Sequence, residues 1–253
     1  MKFILIFLTN FFVISALQAQ QFIEKAEIEF EVNTNLKKKM GNNSWDEKMK
    51  ENISDLKTSY FKYTFADNKS IYKFDRWSEK TRIPKYDKDS DEEEVWSYDF
   101  DTKKMVIQKQ IFGANLVISD SINKIEWKIT NENREIAGYN CRKAVGKIFD
   151  DVYVFAFYTD NIIISGGPCS INGLPGMILG VTIPRLHTSF IATKINVTPT
   201  NTTEIKPIDA KKTFTSPEMK AFLIDKTKDW YGSGSDDEEI KRQKNLFLWE
   251  SML

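Results

Sequence analysis

Tyr60-Phe61-Lys62-Tyr63-Thr64-Phe65-Ala66-Asp67-Asn68-Lys69-Ser70-Ile71-Tyr72-Lys73-Phe74 reads as two strands around a turn. Asp67 and Asn68 both tolerate the left-handed conformation that a two-residue hairpin turn requires. Counting outward from that turn pairs Tyr63 with Tyr72 and Phe61 with Phe74, on one face of the hairpin. Aromatic cross-strand pairs of this kind contribute about 0.2–1 kcal/mol each. The four rings have two readings, a packed core face or the wall of an apolar ligand site.

Strand patterns continue on both sides. Upstream, Ile28, Phe30 and Val32 alternate with Glu27, Glu29 and Glu31, as in a half-buried strand with one wet face. Downstream, residues 94–98, 105–110, 114–118 and 124–130 carry strand composition. A second hairpin is expected over residues 140–158 around Asp150-Asp151, with Phe149 opposite Val152 and Ile148 opposite Tyr153. Residues 189–197 and 202–207 complete the set. The expected fold is mainly β: an antiparallel, strongly curved sheet or half-barrel, carrier-like in outline, with a few helices.

Two of those helices are expected near the C-terminus, from about residue 216. Ser216-Pro217-Glu218 places a cap, a first-turn proline and an early acid before Met219, Phe222 and Leu223. Asp236 with Glu239 caps a last segment carrying Ile240, Leu246, Phe247, Trp249 and Leu253. A third is expected from Ser44 and Glu47, with Trp45, Met49, Ile53 and Leu56 on one face. The acidic run 87–94 reads as a solvated loop, with a weak cation site as the alternative. It fails as a calcium-binding loop, because Glu92 stands where glycine is needed and Tyr98 where a bidentate glutamate belongs.

Lys2, an apolar stretch broken by Thr9-Asn10, and a small residue at Ala19 form the pattern of a secretory signal peptide over residues 1–19. Residues 20–253 then form a single expected domain in an exported chain: periplasmic, outer-membrane-associated or secreted. With 36 basic and 36 acidic residues, no basic field exists to hold nucleic acid. No second apolar run reaches the length of a membrane span.

Catalytic motifs are absent. The chain has one histidine, His187, and two cysteines, Cys141 and Cys169, with no serine-nucleophile elbow, zinc-protease motif or phosphate-cradling glycine loop. No catalytic residue, metal site or cofactor is assigned. Cys141 and Cys169 are a candidate disulfide, the ordinary state of an even pair in an exported protein, or two separate thiols. His187, Met177 and a cysteine form only a weak soft-metal set, so an ordinary turn histidine is the simpler reading.

Asn172-Gly173-Leu174-Pro175-Gly176-Met177-Ile178-Leu179-Gly180 has a reading of its own. Pro175-Gly176 fits the centre of a type II turn, and residues 177–183 run almost wholly apolar, as a strand buried on both faces does. The turn formed by Gly173, Leu174, Pro175 and Gly176 is either structural or a recognition rim. This stretch resembles the signature of the GLPGLI family of exported bacterial proteins. Trp127 to Ala144, Phe157-Tyr158-Thr159-Asp160 and Ser165-Gly166-Gly167-Pro168 extend the resemblance to about residue 195. Met177 replaces the family's usual leucine, and Cys169 stands where other residues are common.

The resemblance implies export and supplies no catalytic residues. Asp120-Ser121-Ile122 also matches an O-glycosylation sequon used in exported proteins of that bacterial group, which makes Ser121 a candidate glycan acceptor. The function expected is a non-catalytic binding or carrier module. Its partner would be a lipid, a peptide, another apolar ligand, or an outer-membrane transport or secretion protein. The alternative is a hydrolase with an unrecognised carboxylate site.

Overall fold

The computed structural model describes residues 25–41, 44–149, 151–198, 205–206, 208–229 and 238–253, leaving aside the side chains of residues 45, 85–87 and 89. Residues 1–19, the expected cap Asp236 and most of the expected strand 202–207 lie outside that set. Eleven antiparallel strands form one open sheet. In chain order they are β1 Lys25–Asn35, β2 Leu56–Ala66, β3 Lys69–Trp77, β4 Val95–Asp99, β5 Lys104–Ile111, β6 Ala114–Ser121, β7 Lys128–Ile136, β8 Tyr139–Ile148, β9 Val152–Thr159, β10 Met177–Ile183 and β11 Thr188–Asn196. Their spatial order is β6-β5-β4-β3-β2-β1-β11-β10-β9-β8-β7. Five helices accompany them among the described residues: α1 Leu36–Lys39, α2 Ser44–Lys50, α3 Lys85–Glu92, α4 Ser216–Thr227 and α5 Glu238–Met252.

The β2–β3 hairpin has the register its turn dictates. Asp67 and Asn68 take φ of 51° and 56°, and Tyr63 faces Tyr72 while Phe61 faces Phe74. β1 alternates as its sequence does, with Ala26, Ile28, Phe30 and Val32 buried. Its glutamates form an ionic network on the outer face. Glu29 meets Arg76 at 2.7 Å and Lys194 at 3.6 Å, and Glu27 meets Lys62 at 3.4 Å. Such exposed pairs contribute little each, but they give the sheet one wet side.

The inner face is filled by the chain itself. The β9–β10 connection, residues 160–176, runs back beneath β2 and β4. Tyr98 Oη donates to the Cys169 carbonyl at 2.9 Å, and a Cβ on Gly166 would collide with the Tyr63 hydroxyl. β4 and β9 are six strands apart in the sheet, about 29 Å if it were flat, so the sheet curves around this loop. Leu174, Met177, Ile178, Leu179, Val181 and Ile183 are all buried, as expected of a strand covered on both faces.

Several expectations are corrected. The turn before β10 is not type II. The Gly176 N–H donates to the Leu174 carbonyl at 2.8 Å across one residue, and Gly176 has φ of 153°. The β8–β9 turn is one residue longer than expected, because Phe149 turns left-handed at φ 50°, and Ile148 therefore faces Val152. The acidic run is a helix, α3, fixed from outside by Lys57 Nζ to Asp91 at 2.9 Å and Trp77 Nε1 to Glu92 at 2.7 Å. α2 stops at Lys50, since Leu56 pairs with Asn35 as the first residue of β2. The α4 cap is Thr215, whose side chain accepts from the Glu218 N–H while Glu218 accepts from the Thr215 N–H.

Candidate functional site

Between the inner face of the sheet, α3 and α5 lies a cavity of about 430 Å³, within the range of small-ligand sites. One wall is aromatic: Phe61, Tyr72, Trp96 and Phe190. Phe61 stacks on Tyr72 with centroids 5.0 Å apart, and Trp96 lies 5.3 Å from Tyr72. Alternation puts these rings inside, because each belongs to the same face as Phe30 and Val32 of β1.

The opposite side is charged. Lys57 on β2 meets Asp91 of α3 at 2.8 Å, and Lys109 on β5 meets Glu94 at 3.2 Å. Lys39 pairs with Glu250 of α5. Lys109 Nζ also donates to the Glu250 carbonyl at 2.6 Å and lies 5.1 Å above the Trp96 ring. α5 closes this side through Leu246 and Leu253, whose backbone oxygen accepts from Trp96 Nε1 at 3.0 Å and from Ser170 Oγ.

Burial governs the protonation of this lining. It pushes the Glu94 carboxyl above its ordinary value; Lys109 and Lys57 oppose the shift without cancelling it. For Lys57, burial works against the charge, but Asp91, Glu94 and Glu250 outweigh it and its pKa rises. Burial raises the Tyr72 phenol and the Cys169 thiol strongly. The Tyr72 hydroxyl is buried and has no hydrogen-bond partner among the described residues.

The residues singled out by sequence fall in different places. Phe61, Tyr72 and Cys169 line the cavity. Tyr63 lies deeper, against the loop at Gly166, and Phe74 packs edge-on to Phe61 at 5.7 Å. Cys141 and Cys169 are separate buried thiols, which corrects the disulfide reading. Cys141 sits in β8 with its Sγ donating to the Tyr139 carbonyl, whereas the loop carries Cys169 across to β4. Gly173 and Pro175 are exposed, while Leu174 and Gly176 are buried. Ser121 is exposed at the end of β6.

His187 ends the 3₁₀ turn Pro184–Leu186 at φ 50°, its carbonyl accepting from the Asn35 N–H at 2.9 Å. Burial, then Lys38, Arg242 and Lys39, lower its pKa. Among the described residues no group of three or more His, Cys, Asp or Glu is placed to hold a metal, and no helix is long and apolar enough to cross a membrane. Sequence reading did not single out Lys57, Trp96, Lys109 or Glu250, and it placed Asp91 and Glu94 in a solvated acidic run, because their partners come from distant elements.

Residues 101–215, under half of the chain, match the family model described as N-glycanase peptide, N-terminal domain. This corrects the GLPGLI resemblance. The segment that carried it, residues 127 to about 195, falls inside the range matched by the other family, and the GLPGLI family itself gives no match. A turn followed by a buried strand is a requirement of geometry, and it does not by itself identify a family. Two solved structures of PNGF-II, in space groups C2 and P21, are similar at 17% and 19% identity, each with a TM-score of 0.45. They cover 73% and 74% of this chain, which spans only 28% and 29% of theirs. No curated protein matches the chain.

Proposed function

We propose that the chain is an exported ligand-binding module whose ligand is a peptide segment held in the cavity under α5. The observation that carries this reading is the aromatic wall of Phe61, Tyr72, Trp96 and Phe190 set against the ion pairs at Lys57 and Lys109 across one cavity. The Tyr72 hydroxyl there is unpartnered among the described residues, as are those of Tyr63, Ser70 and Ser216. An orphaned buried hydroxyl costs about 1–3 kcal/mol, and a ligand amide there would recover the bond. The rings of Phe61, Tyr72 and Trp96 suit an apolar side chain, and the ion pairs at Lys57 and Lys109 suit the flanking polar backbone. A lipid tail fits less well, because it would lie against three ion pairs. The likeness of residues 101–215 to an N-glycanase N-terminal domain supports a module that accompanies glycoprotein chemistry.

Peptides selected from a random heptapeptide phage library on the immobilised protein should bind with a change in tryptophan fluorescence. Tyr72→Phe should weaken them while raising the stability of the unliganded protein by about 1–3 kcal/mol, since no buried hydroxyl is then left unpaired. Peptides that bind Tyr72→Phe as well as the parent chain would sink this reading. One observation favours hydrolysis instead. Burial, with Asp91 nearby, raises the Glu94 carboxyl above its ordinary value, and a carboxyl so placed can serve as an acid beside an ionised neighbour. Cleavage of the selected peptides, lost in Glu94→Gln, would establish it.

Export and modification share one measurement. Intact mass of protein recovered from outside the cytoplasm should show a chain starting at Gln20, with added glycan at Ser121 on its exposed strand end. A mass equal to the full chain from Met1 would refute a cleaved signal peptide over residues 1–19, absence of the protein outside the cytoplasm would refute export, and a bare polypeptide mass would refute the glycan.

A further inference from the structure

A second cleft, about 410 Å³, opens at the β7 edge of the sheet, away from the cavity. Its lining is wholly polar: Asn131, Asn133, Asn140, Arg142, Asp160 and Asn161, with Thr130 beside them. The shape comes from a bulge. Ile129 pairs with Ala144 and Asn133 with Arg142, so three residues of β7 face the single Lys143 of β8. Bulges re-aim side chains at sheet edges and binding sites.

None of the six side chains is engaged in a hydrogen bond or ion pair within the described residues, which leaves their donors and acceptors available to a ligand or to water. The floor is held by the Pro175-Gly176 turn. A Cβ on Gly176 would stand 3.0 Å from the Asp160 Cα and 2.8 Å from the Thr159 carbonyl carbon, so the turn fits directly against the backbone of Thr159 and Asp160. This gives that turn the role of a buttress.

The donor and acceptor pattern identifies the ligand class. Carboxamides donate and accept at once, as sugar hydroxyls do. One arginine and one aspartate balance in charge, so the cleft has no bias towards an anion or a cation. No apolar residue lines it, which leaves nothing for the side chains of a peptide. We infer that this cleft binds a neutral saccharide, with Arg142 donating to hydroxyl oxygens, Asp160 accepting from hydroxyls, and the asparagines completing the set. The site rests on residues of its own, and it holds or fails apart from the cavity under α5.

Calorimetric titration of the full chain with maltose, cellobiose, lactose and N,N′-diacetylchitobiose tests it. At least one should bind saturably. Asn133→Ala and Asn140→Ala should each weaken it roughly 2- to 10-fold, the worth of one hydrogen bond, and Arg142→Ala with Asp160→Ala should abolish it. All four positions are exposed, so the variants should fold. Tyr72→Phe should leave saccharide binding unchanged. The inference is overturned if none of the four sugars binds, if the double variant binds like the parent, or if a tri-asparagine peptide competes at the same concentration as the best sugar.

Discussion

Gly176→Val is expected to lower the unfolding free energy by about 2–6 kcal/mol. Two costs add: a β-branched residue at φ 153° is strained by roughly 1–3 kcal/mol, and overpacking adds about 1–3 kcal/mol. Any Cβ there would run into the carbonyl of Thr159 and stand 3.0 Å from the Asp160 Cα. Both obstacles are backbone, so no side chain can swing away to relieve them. Gly173→Ala is the control. Its φ of 91° is also left-handed, but a Cβ there meets nothing closer than Trp127 Nε1 at 3.7 Å. It should lose only the dihedral strain, about 1–2 kcal/mol. Urea melts of the two variants decide the matter: a Gly176→Val midpoint equal to wild type would show that the turn is not packed as described.

How far the sequence discloses the fold depends on where the determining contacts lie. β1 and the β2–β3 hairpin are legible because their determinants are local: period-two burial, and two residues that accept positive φ at 51° and 56°. The β8–β9 hairpin misleads because Phe149, a bulky aromatic, takes the left-handed position at 50°. Nothing local marks it for that role. β7 carries no alternation to read, since all but its last residue are exposed or half-buried at the sheet edge. α3 has no apolar stripe and is held from outside by Lys57 and Trp77.

The candidate site divides in the same way. Its aromatic wall follows from one correctly placed turn. Its charged side joins Lys57 to a residue 34 positions away and Lys109 to a backbone oxygen 141 positions away. Spacing along a chain cannot encode such pairs. The polar cleft was hidden for the same reason, since the β7 bulge and Asp160 meet only when the β9–β10 loop is laid down.

The protein should unfold steeply in mild alkali. Tyr63, Tyr72, Tyr98 and Cys169 are buried at 1–3% exposure, and burial pushes each well above its ordinary value of 10.0 or 9.0. Burial also pushes Cys141 up to about 11. Each of these groups is neutral when protonated, so a raised folded pKa means that the unfolded chain ionises first. Their contribution is therefore whole below about pH 9 and declines as pH rises through the ordinary values, by about 1.4 kcal/mol per pH unit per group. By about pH 11 the five together would remove roughly 9 kcal/mol, comparable with a typical total stability. Acid works on a different set. Glu29, Asp99, Asp120, Glu218, Asp225 and Glu239 are held below their ordinary values by hydrogen bonds and lose stabilisation as pH falls, and Glu94, raised by burial, gains it. Urea melts between pH 8 and 10.5, followed by tyrosinate absorbance, should show the midpoint falling and these tyrosines ionising only as the chain unfolds. Constant midpoints over that range, or tyrosinate forming fully before unfolding, would mean that the rings beneath the loop are open to water.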